Sequence, residues 1–292
     1  MAEQVMPMVD WLVTPFSYGF MQRGLAASLM VGVLCAIIGC YIVLRSMAFM
    51  GDALAHGILP GVAIAYLLQG SLIVGAIVAA VAVALGIGLL SRGGALREDT
   101  AIGILFAASL SLGVLLISTI RTYAVDLTHI LFGNVLGVST ADLWLTGGLG
   151  LVVLATIALL YKEFLVISFD PVHAATLRLP ATLLHNVLLV LLALTIVVSL
   201  QTVGVGLVAA MLVTPSATAY LLTRRLPSMM ALSAGLGALS SITGLYLSYY
   251  FNVASGAAVV LTATGIFLLV FLFAPRHGAV WRLVRRPPAA IR

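Results

Sequence analysis

Apolar residues come along this chain in nine blocks, each about as long as the ~20 residues a helix needs to cross a bilayer. The blocks run roughly over 25–44, 47–68, 72–90, 101–120, 143–161, 183–200, 204–222, 229–248 and 257–274, and the short stretches between them hold nearly all the charge. A membrane-spanning β-strand would instead alternate apolar and polar residues in segments of about ten. None of the blocks does so. The pattern predicts an all-α, polytopic membrane protein with about eight to nine transmembrane helices over residues 25–274.

Composition sharpens that picture. Of 292 residues, 63% are apolar and 8% charged, against about 45–50% and about 25% in a soluble domain, which excludes a water-soluble enzyme. Cys35 and Cys40 lie inside one apolar block without CxxC spacing, so they read as buried packing rather than a disulfide or zinc cluster. A net charge of +5 implies no nucleic-acid partner here, because basic residues of a membrane protein mostly report orientation. With the C-terminus inside, twelve of the fourteen basic residues fall in cytoplasmic segments, leaving Arg23 and Arg121 outside. The positive-inside rule selects that frame, and nine spans then put the N-terminus outside. Residues 1–24 carry two acids and two internal prolines but no basic n-region. They read as an interfacial segment rather than a cleaved signal. Residues 275–292 read as a basic cytoplasmic tail.

Two connections exceed simple turns. Residues 121–142 form a long outer segment apolar enough to dip into the membrane. Residues 162–182 form a long inner one, in which Asp170 is a good N-cap, Pro171 suits the first helical position and Pro180 forbids continuation. This predicts a helix of about two turns on the cytoplasmic side, within a segment of about 168–180, suited to docking a soluble partner.

Ionisable residues inside the bilayer cost about 2.5–3.5 kcal/mol each on insertion scales and mark function. Away from span ends, only Asp52 and His56 qualify. Their i, i+4 spacing puts both on one helical face, where a carboxylate oxygen and an imidazole nitrogen can grip zinc, manganese or ferrous iron. The competing reading is that they bond only each other or cap a kink. Small neighbours Gly51, Ala53, Ala55 and Gly57 would let a second helix approach closely, and Pro60 can bend the helix just beyond the pair. One pair leaves the coordination sphere incomplete, so two copies about a two-fold axis are expected to complete it. Asp126 and His129, spaced i, i+3 in the outer segment, are possible outer-gate contacts. His173, His185 and His277 read as ordinary residues of the cytoplasmic interface.

Absences bear on the energy source. A P-loop needs GxxxxGK[ST], yet the only lysine, Lys162, precedes Glu163. Gly204 and Gly206 open the seventh span, and Pro215 within it frees a carbonyl near Met211 and should kink the helix.

The run LRSMAFMGDALAHGILPGVAIAYLL resembles the signature of the membrane permease subunits of bacterial ABC importers for zinc, manganese and iron, the metal-chelate ABC-3 type. REDTAIGILFAASLSLGVLLIS, DLTHILFGN, SFDPVHAATL, QTVGVGLVAAMLVTPSATAYLL and VASGAAVVLTATGIFLL follow in the family's order, so the resemblance covers roughly residues 23–274. It implies a type II-like permease of the bacterial inner membrane, homodimeric or occasionally heterodimeric. Its partners would be two cytoplasmic ATPase subunits, an extracytoplasmic metal-binding protein and lipid. The ion, zinc or manganese and in some relatives iron, is cargo, and no cofactor is implied. Asp52 and His56 match the family's intramembrane metal site, and Asp170 and Pro171 the opening of its coupling segment. Leu179 stands where the family usually has glycine after the coupling helix. Disturbing that helix, for instance at Ala174, is expected to uncouple the ATPase. Two rivals remain: a secondary metal transporter or channel working alone, which the single ionisable pair disfavours, and an intramembrane metalloenzyme, for which no third ligand or base is present in the spans.

Overall fold

The computed structural model describes residues 14–92, 96–119, 135–169, 174 and 176–274. A short 3-10 turn, Thr14–Ser17, leads into α1 (Gly19–Leu44). Then come α2 (Met50–Gly57), α3 (Leu59–Leu67), α4 (Leu72–Leu90) and α5 (Glu98–Ser118). A second 3-10 turn, Val135–Gly137, precedes α6 (Thr140–Leu159) and α7 (Tyr161–Phe169). The chain closes with α8 (Ala181–Val203), α9 (Val205–Leu222), α10 (Leu226–Phe251) and α11 (Ser255–Phe273). Among the described residues there is no strand, and nine spans are long and apolar enough to cross a membrane, with α2 and α3 together forming the second.

Observed spans follow the nine hydrophobic blocks within a few residues, with three informative differences. The first span starts at Gly19, so the last residues of the expected interfacial segment are already helical. The second is broken at Ile58. Pro60 has no N–H to give the carbonyl of His56, and its ring crowds that carbonyl, so the helix is interrupted just there. The third is α7, which continues past Leu160 where an inner loop was expected. Its Phe164 and Ile167 are buried in the core, and Tyr41 meets Phe164 edge-on at 5.7 Å.

Helix ends explain why boundaries blur in the sequence. After α1, Ser46 is left-handed at φ 58°, and the N–H groups of Ser46 and Met47 return to the carbonyls of Val43 and Ile42 at 3.2 and 3.0 Å. After α3, Gln69 at φ 52° repeats the arrangement, Gly70 N–H reaching Ala65 at 2.8 Å. These are Schellman closures built without the usual glycine, so the stop signal is missing from the sequence.

α1 is the central post, 67% of its apolar window being buried. α9 and α10 pack on one side of it, α8 and α6 on another. Interhelical glue is short and polar: Ser216 of α9 and Ser233 of α10 both donate to the Ala36 carbonyl of α1, at 2.9 and 3.1 Å. Gly39 permits this approach, because a Cβ there would collide with the Leu212 carbonyl. At one end of the bundle, Tyr18, Phe20, Tyr249 and Tyr250 form a cluster of tilted and edge-on rings of the kind that anchors spans at an interface. At the other end Arg45 meets Glu98.

A single residue, Gly204, joins α8 to α9, with φ 87° and ψ 163°. That backbone region is open essentially only to glycine, and other residues there cost about 1–3 kcal/mol. Gly204→Ala is therefore expected to lower the thermal unfolding midpoint of the purified protein by several degrees, measured by differential scanning fluorimetry. An unchanged midpoint would show that the turn accepts a side chain.

Candidate metal centre

α2 is only eight residues long, yet it is packed by α5, α9, α8 and α4. Apolar burial fixes its orientation: Met50, Ala53, Leu54 and Ala55 are at most 2% exposed. The remaining stripe, i, i+3, i+7 along the helix, carries Phe49, Asp52 and His56. Phe49 is 76% exposed, and the side chains of Asp52 and His56 are 51% and 25% exposed. The pair thus opens on the surface of the single chain rather than into its core.

Local geometry orients the histidine ring. Its Nδ1 lies 3.0 Å from the backbone carbonyl of Asp52 and 3.5 Å from the Asp52 carboxylate. A carbonyl oxygen only accepts, so Nδ1 carries the hydrogen, and in the neutral ring Nε2 keeps its lone pair. Fixing one nitrogen to aim the other is how metal-binding imidazoles are oriented. Phe106 of α5 meets the ring edge-on, 5.6 Å away at 89°, and limits its rotation. Asp52, in the first turn of α2, also has favourable electrostatics from the helix N-terminus. Together the two side chains offer one imidazole nitrogen and a carboxylate, an open half-site for a divalent cation.

The small residues beside the pair do not serve as expected. Gly51 faces Leu212 of α9 at ordinary contact distance, Gly57 faces Val83 of α4, and Ala53 and Ala55 are buried. Their closeness is spent within the chain, because α2 sits in the middle of the fold. A second helix can reach this site only across the Phe49, Asp52 and His56 stripe.

Other positions singled out by the sequence are scattered. Pro60 lies just past the pair, at the start of α3, and α9 continues as helix through buried Pro215. Asp126, His129, Asp170, Pro171, His173 and His277 fall outside the described residues. Ala174 is fully buried, and Leu179 N–H returns to the Ala174 carbonyl at 3.1 Å around left-handed Arg178, φ 53°. A glycine-like conformation is thus met one residue before Leu179.

One group escaped the sequence reading. Arg45 donates to Glu98 at 3.3 Å, and His185 Nε2 lies 3.6 Å from the same carboxylate oxygen. Burial lowers the pKa of Arg45, and the neighbouring Glu98 opposes that shift. His185, read as interfacial, has a side chain only 13% exposed. No spacing rule links residues 53 apart, although an acid at the start of a span could have prompted a search for its partner.

Among the described residues, nine apolar spans around a part-exposed Asp/His pair give the architecture of a multi-pass membrane protein. The chain belongs to the ABC 3 transport family, whose model matches residues 17–274. It is 51% identical over 269 residues to the manganese transport system membrane protein MntC of Halalkalibacterium halodurans, with 92% of each chain covered. It is 41% identical over 268 residues to the manganese import system permease protein ScaB of Streptococcus gordonii, covering 92% of this chain and 96% of that one. Its fold matches PsaBC from Streptococcus pneumoniae, solved in complex with Fab, with a TM-score of 0.82 at 39% identity, over 95% of this chain and 100% of that one.

An edge contact such as that of Phe106 contributes about 0.5–1.5 kcal/mol beyond area burial. Phe106→Leu keeps apolar volume and removes the ring edge, so divalent-ion affinity, read by titration of the purified protein, is expected to weaken about two- to tenfold. An unchanged affinity would mean that the Asp52 carbonyl alone holds the imidazole.

Proposed function

We propose that this chain is the membrane-spanning subunit of an ATP-driven importer that carries manganese into the bacterial cytoplasm, with Asp52 and His56 as the intramembrane contacts for the ion. The observation that carries this reading is the open pair itself: a carboxylate and a tautomer-fixed imidazole on the exposed stripe of an otherwise buried helix. Manganese is favoured over zinc by the names of the relatives at 51% and 41% identity. The carboxylate suits manganese and the imidazole takes zinc or iron as readily, so the choice of ion rests on the relatives, and no thiolate shares the site. Cys35 and Cys40 are both buried in α1, where Cys35 Sγ lies 3.6 Å from Ser199 Oγ and Cys40 Sγ 3.3 Å from the Ala36 carbonyl.

The energy comes from outside the chain, which has no nucleotide-binding motif. Two cytoplasmic ATPase subunits would dock on the segment that begins at Asp170 and Pro171 and contains Ala174. An extracytoplasmic binding protein would deliver the ion to the outer face, near Asp126 and His129. In this orientation the end of the bundle holding Arg45, Arg92, Arg97, Arg178, Arg224 and Arg225 is cytoplasmic, as the positive-inside rule requires. Two permease copies would face each other across the Phe49, Asp52 and His56 stripe. Doubling the half-site then gives two imidazole nitrogens and two carboxylates.

Reconstituted with its ATPase and binding protein, the wild-type permease is expected to accumulate manganese in proteoliposomes only with ATP. Asp52→Ala and His56→Ala are expected to reduce uptake at least a hundredfold while leaving assembly intact. Near-normal uptake by both variants would refute an obligatory site.

The facing stripes are tested by chemical crosslinking. Phe49→Cys in a background lacking Cys35 and Cys40 is expected to join two permease copies through a short bifunctional reagent, with a yield that manganese changes. A positive control at another exposed position that crosslinks while position 49 does not would place the two stripes apart.

A further inference from the structure

The group at Arg45, Glu98 and His185 is not explained by ion binding, since a guanidinium beside the carboxylate repels a cation. Nor is it a surface ion pair of the kind worth little: the side chains of Arg45, Glu98 and His185 are 17%, 31% and 13% exposed. One Glu98 oxygen accepts from Arg45 at 3.3 Å, while His185 Nε2, from a different element, stands 3.6 Å from the same oxygen, just beyond hydrogen-bond reach. Among the described residues, the second guanidinium nitrogen of Arg45 and both ring nitrogens of His185 are buried without a hydrogen-bond partner. Buried polar groups are ordinarily satisfied. A carboxylate with more donors around it than it fully engages has a second arrangement close at hand.

The three residues stand at telling places in the chain. Arg45 follows α1, and the left-handed turn at Ser46 begins the loop that delivers Met50 and then Asp52. Glu98 opens α5, whose Phe106, two turns on, touches His56. Eight residues of α-helix span about 12 Å, so a tilt of the first turn of α5 reaches the imidazole through one rigid element. His185 lies in the first turns of α8, five residues beyond Pro180, where the proposed docking segment ends. Glu98 therefore joins the start of α8 to both structures that position the metal pair: the loop before α2 and the helix behind His56.

We propose that Arg45, Glu98 and His185 are positioning residues that couple the ATPase-docking end of the permease to the metal pair, with Glu98 shared between the α1–α2 loop and α8. This rests on the transport reading above. When docking shifts the start of α8, His185 and Arg45 compete for the same carboxylate. The loop leading to Asp52 and the ring contact at His56 then move together.

The test uses the full complex, permease with ATPase and binding protein, in proteoliposomes, and reads manganese imported per ATP hydrolysed. Glu98→Gln keeps the shape and removes the charge. It is expected to hydrolyse ATP at near the wild-type rate while the ions carried per ATP fall at least tenfold. The charge exchange R45E with E98R is expected to recover the ratio to within threefold of wild type, a rescue that a merely structural loss would not show. A ratio within twofold of wild type in E98Q, or an exchange no better than either single variant, overturns the proposal. Should E98Q fail to assemble, His185→Gln decides the matter, because it leaves the Arg45–Glu98 pair intact. A more than threefold fall in the ratio supports the coupling role, and an unchanged ratio overturns it. A wild-type complex that imports nothing would count against the transport reading itself. Changes confined to the variants bear on the coupling alone.

Discussion

Hydrocarbon does not solvate charge, and that constraint organises this molecule more than any other. Each unsatisfied polar group in the bilayer costs several kcal/mol, so backbone groups are closed within helices and side-chain hydroxyls turn back on the backbone. Thr195, Ser216, Ser233 and Ser241 all donate to main-chain carbonyls. Against that background an aspartate and a histidine left part-open in the second span stand out. A backbone carbonyl 3.0 Å from Nδ1 holds the ring, and the Asp52 carboxylate beside it is half exposed.

The architecture around the pair follows from the same constraint. α2 is short because Pro60 deprives the His56 carbonyl of its helical partner, and α2 is held from four sides because its small residues let α4 and α9 come close. A short, tightly gripped helix fixes where Asp52 and His56 point, while the break after it leaves α3 free to follow another course against α4. Gly61 and Gly75 show how close that second crossing is: each would place a Cβ against the other's carbonyl. The site is thus rigid behind and open in front, an arrangement that suits a passing ion better than a resident one.

Much of this was legible in the sequence. Hydrophobic block length located the spans, because a bilayer imposes one length on every crossing. The isolation of Asp52 and His56 in apolar surroundings picked out the pair, because no other ionisable residue lies within the apolar blocks away from their ends. Where the sequence misled, the cause was tertiary. The small residues near the pair looked free for a second copy, whereas helices distant in the chain, through Leu212 and Val83, already occupied them. Helix α7 was hidden because its apolar residues read as a loop next to charged Lys162 and Glu163. The Arg45, Glu98 and His185 group was invisible because charges at span ends are ordinary individually, and only the fold shows them converging on one carboxylate.

Everything rests on His56 being a ligand of the ion rather than a partner of Asp52 alone. Electron spin echo spectroscopy of manganese bound to the purified permease reads this directly, since a coordinated imidazole nitrogen modulates the echo. With histidine labelled by nitrogen-15, a coupling at the labelled nitrogen is predicted in the wild type and is lost in His56→Gln under conditions where manganese remains bound. Bound manganese with no histidine coupling, or a coupling that persists in His56→Gln, would contradict the account.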